Sequence, residues 1–180
     1  MQHLQRFNLS IDESNHGRYP EIFVAVYSPY SSDIIKREGG FEKYIGNFDI
    51  SKKLGRREFK HILISEESAD IMGGNRNASL VVFAEFIKYF KHVNTVIIDG
   101  ELKTQDVESL RGILYPKNLP KIIIEPKADE NYSLVNMADI IANKLHRYYG
   151  KKNKRSNKKR YLDNLITPRL EDYIDLFQNT

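Results

Sequence analysis

The hydrophobic pattern changes period along the chain, from two near the start to helical spacing further on. Phe7, Leu9 and Ile11 alternate with polar neighbours, which predicts a half-buried strand running straight into Asp12. After the turn-rich SNHGRYP stretch, residues 22–27 are β-branched and aromatic and predict a second strand. The next thirty residues read as irregular, with Gly39, Gly40 and Gly46 breaking any long element. A third strand is predicted over 61–65. Gly73 and Gly74 then mark a turn before a helix over 78–91, where Leu80, Phe83, Ala84, Ile87 and Phe90 share one face.

From there strands and helices alternate. The run TVII at 95–98 predicts a buried strand ending at Asp99. Thr104, followed by Gln105 and Asp106, has the character of a helix N-cap and acidic first turn leading into 107–114. KIIIE at 121–125 predicts another strand, and 132–149 a long helix closed by Gly150. A last helix is expected after Pro168. The order along the chain is therefore βββαβαβα, an α/β domain with a mixed five-stranded sheet and flanking helices. Three leading strands point to an antiparallel meander and the remainder to parallel strands with right-handed crossovers. This order resembles the ribonuclease H fold. A doubly wound sheet would want a helix after the first strand, and the pattern there offers none.

Composition narrows the classes. At 180 residues, 41% hydrophobic and 29% charged, the chain can bury a core and suits one domain with a tail. The absence of cysteine removes thiol nucleophiles, thiolate metal sites and disulfides, and fits a reducing cytoplasm. No stretch reaches the roughly 18 apolar residues needed to span a bilayer, and the first residues lack a secretory-signal pattern, so a cytoplasmic protein without a membrane partner is expected. The net charge of +4 is uneven: KKNKRSNKKR at 151–160 holds seven basic residues and no acid. Such a block reads either as a solvated surface segment or as an arm for phosphates. The expected organisation is a catalytic domain over 1–150, this basic segment, and a helical extension over 161–180.

The acidic residues carry the chemistry. Asp12 and Glu13 follow the first strand without a break, and Asp99 ends the fourth. In a sheet of this order strands one and four are parallel neighbours, so their carboxylates converge. Asp129 precedes the long helix, and Asp139 lies on the flank of that helix's apolar stripe. Crowded carboxylates repel unless protons or cations neutralise them. An oxygen-only set suits hard ions such as Mg²⁺ or Mn²⁺. Two such ions can clamp the attacking and leaving oxygens of a phosphoryl displacement. Taken singly, an aspartate at a strand end reads equally as a turn former or a cap.

Four segments carry a more specific resemblance. SIDES at 10–14 is similar to the GIDEAG start of type 2 ribonucleases H, and to the IDESG start of a broader ribonuclease H-like group. DISKKLGRRE at 49–58 resembles the DSKKL segment of the type 2 enzymes with one residue inserted. VIIDG at 96–100 matches the strand presenting their third acid. KADENYSLVNMADIIA at 127–142 aligns with their KAD…VVSAASILA segment. The matches fall in the right order over residues 7 to 150. The resemblance implies a metal-dependent nuclease in which Asp12, Glu13, Asp99 and Asp129 bind two Mg²⁺ or Mn²⁺ ions. Asp139, where the IDESG group tends to have an aspartate, replaces or supplements Asp129. It further implies a nucleic-acid partner, either an RNA/DNA hybrid or single-stranded DNA or RNA. The expected substrate contacts are Lys52, Lys53, Arg18, His16 and Lys127, with Arg56 and Arg57 as further phosphate contacts. A non-catalytic nucleic-acid-binding protein is the alternative.

One departure bears on substrate. The type 2 enzymes follow the Asp-Glu pair with Gly-Arg-Gly, which reads the ribose hydroxyl. Here Gly17-Arg18 is displaced and Tyr19 stands where the second glycine would be. Glycine permits close backbone approach and tyrosine does not, so the ribose-reading contact of those enzymes is not expected. GGNRN at 73–77 reads either as a phosphate-binding helix start or as a turn with an asparagine cap. His61, His92 and His146 show no metal-ligand spacing.

Overall fold

The computed structural model describes residues 6–14, 18–40, 49–150 and 161–177. Five strands form one mixed sheet: β1 Phe7–Ser14, β2 Glu21–Ser28, β3 Glu58–Ile64, β4 Val93–Asp99 and β5 Lys121–Glu125. Their spatial order is β3-β2-β1-β4-β5. β1 pairs antiparallel with β2, and β2 with β3, while β1–β4 and β4–β5 are parallel. The meander and the parallel half thus meet at β1, in the centre, as the element order predicts.

The helices are α1 Ile50–Leu54, α2 Glu66–Ile71, α3 Asn75–Tyr89, α4 Thr104–Leu114, α5 Ala128–Asn131, α6 Ser133–Gly150 and α7 Glu171–Phe177. A single 3-10 turn spans Ser31–Ile34. Three short helices and this turn arise inside stretches that read as loop. They are too short to show a periodic stripe, and side-chain caps start two of the helices, α1 and α2. Asp49 accepts from the Ser51 amide at 3.0 Å to start α1, and Ser65 accepts from the Ser68 amide at 3.1 Å to start α2. At α4 the cap is shifted by one residue from the expected Thr104: the Lys103 amide donates to Asp106 at 2.7 Å.

The sheet separates two apolar layers. On one face Leu9, Ile11, Phe23, Ile62 and Val96 pack against α3 and α4, with Tyr173 of α7 completing the cluster. On the other face Ile22, Val24 and Val26 pack under Ile50 of α1 and the stripe Leu134, Ala138, Ile141, Ala142 and Leu145 of α6. Each fully buried aliphatic side chain contributes roughly 1.5–3 kcal/mol, and these two layers fix which way every strand residue points. Residues 161–166 add to the outer edge of β3: the His61 amide donates to the Asn164 carbonyl at 2.9 Å, and the Ile166 amide to the His61 carbonyl at 2.8 Å. This pairing covers an otherwise open sheet edge. Among the described residues no helix is long and apolar enough to cross a membrane.

β1 differs from expectation in one respect that matters for the site. Its alternation predicts a half-buried strand, yet residues 8–12 are buried on both faces. The polar set Asn8, Ser10 and Asp12 lies beneath α6 and the 3-10 turn rather than in solvent. Each of the first two is satisfied there: Asn8 donates to the Tyr30 carbonyl at 3.2 Å, and the Ser10 hydroxyl donates to the Leu134 carbonyl at 3.0 Å.

Candidate metal and nucleic-acid site

Asp12 near the end of β1 and Asp99 at the end of β4 come to the same edge of the sheet. The strands are parallel and their pairing runs to Ile11 opposite Ile98, so Asp12 and Asp99 occupy the next position in register. Alternation sends Ser10 and Asp12 to the α6 side, while Leu9 and Ile11 face α3 and α4. α5 and α6 cover the edge of that α6 side and carry Asp129 and Asp139. Asp99 also builds this arrangement: its Oδ1 accepts from the Ala128 amide at 2.8 Å, holding the start of α5 beside the strand end. The turn before it needs Lys127 in the left-handed region, at φ 60°.

Asp12 is 6% exposed. Burial pushes its carboxyl from 3.8 up to about 8; the Glu13 amide, donating at 2.7 Å, opposes the rise, and the charges of Asp99, Asp139 and Asp129 add to it. Three aspartates, from β4, α5 and α6, therefore act on one buried carboxyl of β1. Glu13 follows the Leu9–Ile11 register toward the opposite face by strand alternation and is half-buried at the strand end. Asp139 is anchored on its own helix, where the Asn143 side-chain amide donates to Oδ1 at 2.8 Å.

Among the described residues no three histidine, aspartate or glutamate side chains surround one point closely enough to hold an ion as they stand. The donor set nonetheless fits a hard divalent cation. It is all oxygen, drawn from four separate elements, and the repulsion it exerts on Asp12 is what a cation would reverse. Asp12, Asp99, Asp129 and Asp139 are the residues that would hold such ions.

Of the expected substrate contacts, Lys127 stands next to this edge, since the neighbouring Ala128 amide donates to Asp99. Lys52 and Lys53 are exposed on α1, with Lys52 4.0 Å from Asp49. Lys127 precedes α5 with its side chain 76% exposed, 3.9 Å from Glu130. Arg18 is exposed just before β2, while His16 and the 151–160 block lie outside the described residues. Arg57 has a different role from the phosphate contact expected of it. Its guanidinium donates twice to Asp33, at 2.6 and 2.7 Å, and lies over the Tyr30 ring. Asp33 also accepts from the Ser28 and Ser133 hydroxyls, so the group ties β2, the 3-10 turn and the start of α6 together.

In the GGNRN stretch Arg76 pairs with Asp106 of α4 and Asn77 donates to the Met72 carbonyl at 2.8 Å, so the turn is occupied by its own contacts. Tyr19 packs against the α3 side of the core, its hydroxyl donating to Asn75. The residue standing in place of the second glycine is thus directed away from the carboxylates. His61 is buried and bonded through Nε2 to the Tyr149 hydroxyl at 2.8 Å. Ser10, Asp33 and Asn143 have clear structural roles that no motif marks. A serine two residues before Asp12, on the same face of the strand, is the one signal in the pattern that points to any of them.

No family model matches the sequence, and no curated protein does. Solved structures do. Ribonuclease HII of Archaeoglobus fulgidus, solved in complex with PCNA, superposes with a TM-score of 0.55 at 18% identity, covering 94% of this chain and 89% of that one. Ribonuclease H2 of Pyrococcus horikoshii gives 0.51 at 14% identity, covering 97% and 100%. The chain thus has the mixed-sheet fold of the type 2 ribonucleases H, with the sheet and flanking helices in matching arrangement. At these identities the likeness extends to the fold.

Proposed function

We propose that this chain is a divalent-metal-dependent nuclease that hydrolyses phosphodiester bonds in nucleic acid. The observation that carries the reading is the convergence of Asp99, Asp129 and Asp139 on the buried carboxyl of Asp12. A carboxyl whose charged form is disfavoured first by burial and then by three neighbouring carboxylates adds little to stability and suits a cation. The fold, shared with ribonucleases H of type 2, supports the same class of chemistry.

In this reading Asp12, Asp99, Asp129 and Asp139 hold Mg²⁺ or Mn²⁺, and Glu13, directed by strand alternation toward the opposite face, stands outside the set. Bound divalent ions supply the positive charge that offsets negative charge developing on phosphate in the displacement. The protein's own part is to hold the carboxylates apart on rigid elements and exclude bulk water from Asp12. Asn143 orients Asp139, and Asp99 keeps α5 in place. Lys52, Lys53, Lys127, Arg18 and His16, with the 151–160 block, attract and seat the phosphate backbone. The substrate is the RNA strand of a hybrid, or single-stranded DNA or RNA. With Tyr19 turned toward Asn75, ribose recognition does not use the glycine contact of the type 2 enzymes.

Incubation with labelled RNA/DNA hybrid, duplex DNA and single strands, with Mg²⁺, Mn²⁺ or chelator, tests the proposal. The expected result is metal-dependent cutting that is lost in Asp12→Asn and Asp99→Asn. Both variants keep a side-chain acceptor for the amides of Glu13 and Ala128, so loss of cutting is not loss of fold. Tight binding with no product under any metal would overturn catalysis and leave a non-catalytic nucleic-acid-binding protein.

A further inference from the structure

Residues 35–40, Ile-Lys-Arg-Glu-Gly-Gly, run along α5, the short helix that carries Asp129. Backbone contacts set this course. The Arg37 amide donates to the Asn131 carbonyl at 2.9 Å. A Cβ on Gly40 would stand 3.2 Å from the Glu130 carbonyl oxygen, and Gly40 has φ +72°. A side chain there would be strained and would crowd α5, so glycine is what lets the loop lie this close.

The loop thereby brings positive charge to the carboxylate edge. Lys36 Nζ lies 2.5 Å from Glu125 Oε1. Glu125 ends β5 directly opposite Asp99 in the β4–β5 register. The Asn131 amide at 2.7 Å and the Tyr132 hydroxyl at 3.1 Å also bond Glu125, so the carboxylate holding Lys36 is itself held. Lys36 and Arg37 are both exposed, and Glu38 beyond them is exposed too, leaving the loop net positive. With its side chain 57% exposed, Lys36 gains little from its partner, because solvent screens an exposed pair. A phosphate oxygen can therefore take the ammonium from Glu125 at small cost. Lys52 and Lys53 sit on α1, which packs over the β2 side of the sheet through Ile50. Lys36 and Arg37 stand on the β5 side, beside α5 and the end of β5.

We propose that the 35–40 loop is a second nucleic-acid contact, in which Lys36 and Arg37 grip backbone phosphates on the β5–α5 side of the carboxylate cluster. Lys36 exchanges Glu125 for phosphate when the backbone is seated. This inference rests on the nuclease reading above and extends it by a surface that the motif resemblance does not reach.

The test measures binding of the full-length chain to a fluorescein-labelled RNA/DNA hybrid and to a labelled single strand across a salt series in chelator. Cutting with Mn²⁺ is measured in parallel. For Lys36→Ala/Arg37→Ala, the slope of log affinity against log salt should fall by about two, near one for each phosphate no longer neutralised. KM should rise several-fold while kcat at saturating substrate stays within about twofold, because no group on the carboxylates has changed. Glu125→Gln, which weakens the hold on Lys36, should bind more tightly than wild type. Lys121→Ala, at the other end of β5, should change nothing. If the wild-type protein cuts and the double variant keeps its salt slope, the loop assignment falls while the nuclease reading stands. If the wild-type protein binds and cuts none of these substrates, both fall.

Discussion

The Ser10 hydroxyl donates to the Leu134 carbonyl at 3.0 Å, across 124 residues of sequence and inside the layer between β1 and α6. Ser10 is fully buried, two positions before Asp12 on the same face, and Leu134 lies little more than one turn before Asp139. This one bond sets the register of α6 against β1, and so the relation of the two aspartates. Ser10→Val removes the donor and adds bulk at the contact. Expected is a loss of about 1–3 kcal/mol, seen as a Tm lowered by several degrees. Mn²⁺ affinity by calorimetry should weaken further than in Ser10→Ala, which leaves the layer spacing intact. Equal Mn²⁺ affinity in the two variants would remove Ser10 from the site's construction.

Asp12 makes the metal-free protein sensitive to pH. Its folded carboxyl, pushed up to about 8 from an ordinary 3.8, binds its proton more tightly than in the unfolded chain. The folded state therefore carries more protons between these values, and Asp12's contribution to stability falls as pH rises from about 4 to about 8. Urea melts in chelator should show Asp12→Asn gaining stability over wild type as pH rises, the two converging near pH 4. Mn²⁺ at pH 8 should stabilise wild type and leave Asp12→Asn nearly unchanged.

His61 works in the opposite sense. Burial lowers it from 6.5 to about 4, so below 6.5 the unfolded chain binds a proton that the folded chain refuses. Stability from this group is present above pH 6.5 and is lost as pH falls toward 4. Nδ1 of His61 is buried with no hydrogen-bond partner among the described residues, and its backbone carries the pairing of residues 164–166. Hydrogen exchange at the Ile166 amide should accelerate between pH 6.5 and 5 relative to the amides of β4. In His61→Gln that relative acceleration should vanish; its persistence would point to another group.

The Arg57–Asp33 pair is a structural test with a clear contrast. Asp33 is 3% exposed. Burial alone would raise its carboxyl, but the Arg57 guanidinium and Ser28 hydroxyl outweigh this and hold it below the usual range. Arg57→Met leaves that carboxylate buried without its cation and should destabilise by about 3 kcal/mol. Asp33→Asn/Arg57→Met should recover much of the loss. Additive losses in chemical denaturation would show that the two side chains do not act as a pair.

Much of the fold was legible in the chain because its signals are local and periodic. The apolar stripe of α6 reports its buried face, and the KIIIE run of β5 and the alternation in β1 report strands, without reference to any partner. Burial of the polar face of β1 was not legible in that alternation. The order of these elements was enough to make β1 and β4 parallel neighbours, and hence to bring Asp12 beside Asp99. Periodicity could not disclose the short elements α1, α2 and α5, which depend on caps and on docking against the sheet.

What the sequence determined by itself was the set of carboxylates and the strand ends that present them, since strand direction and period are properties of neighbouring residues. Only the tertiary structure decided which of those groups share a face. It sent Asp12 under α6 and Glu13 toward the other side, gave Arg57 to Asp33, turned Tyr19 toward Asn75, and laid Lys36 beside Glu125. Each of these outcomes depends on contacts between residues far apart in the chain, where the partner of a charge is set by packing and not by spacing.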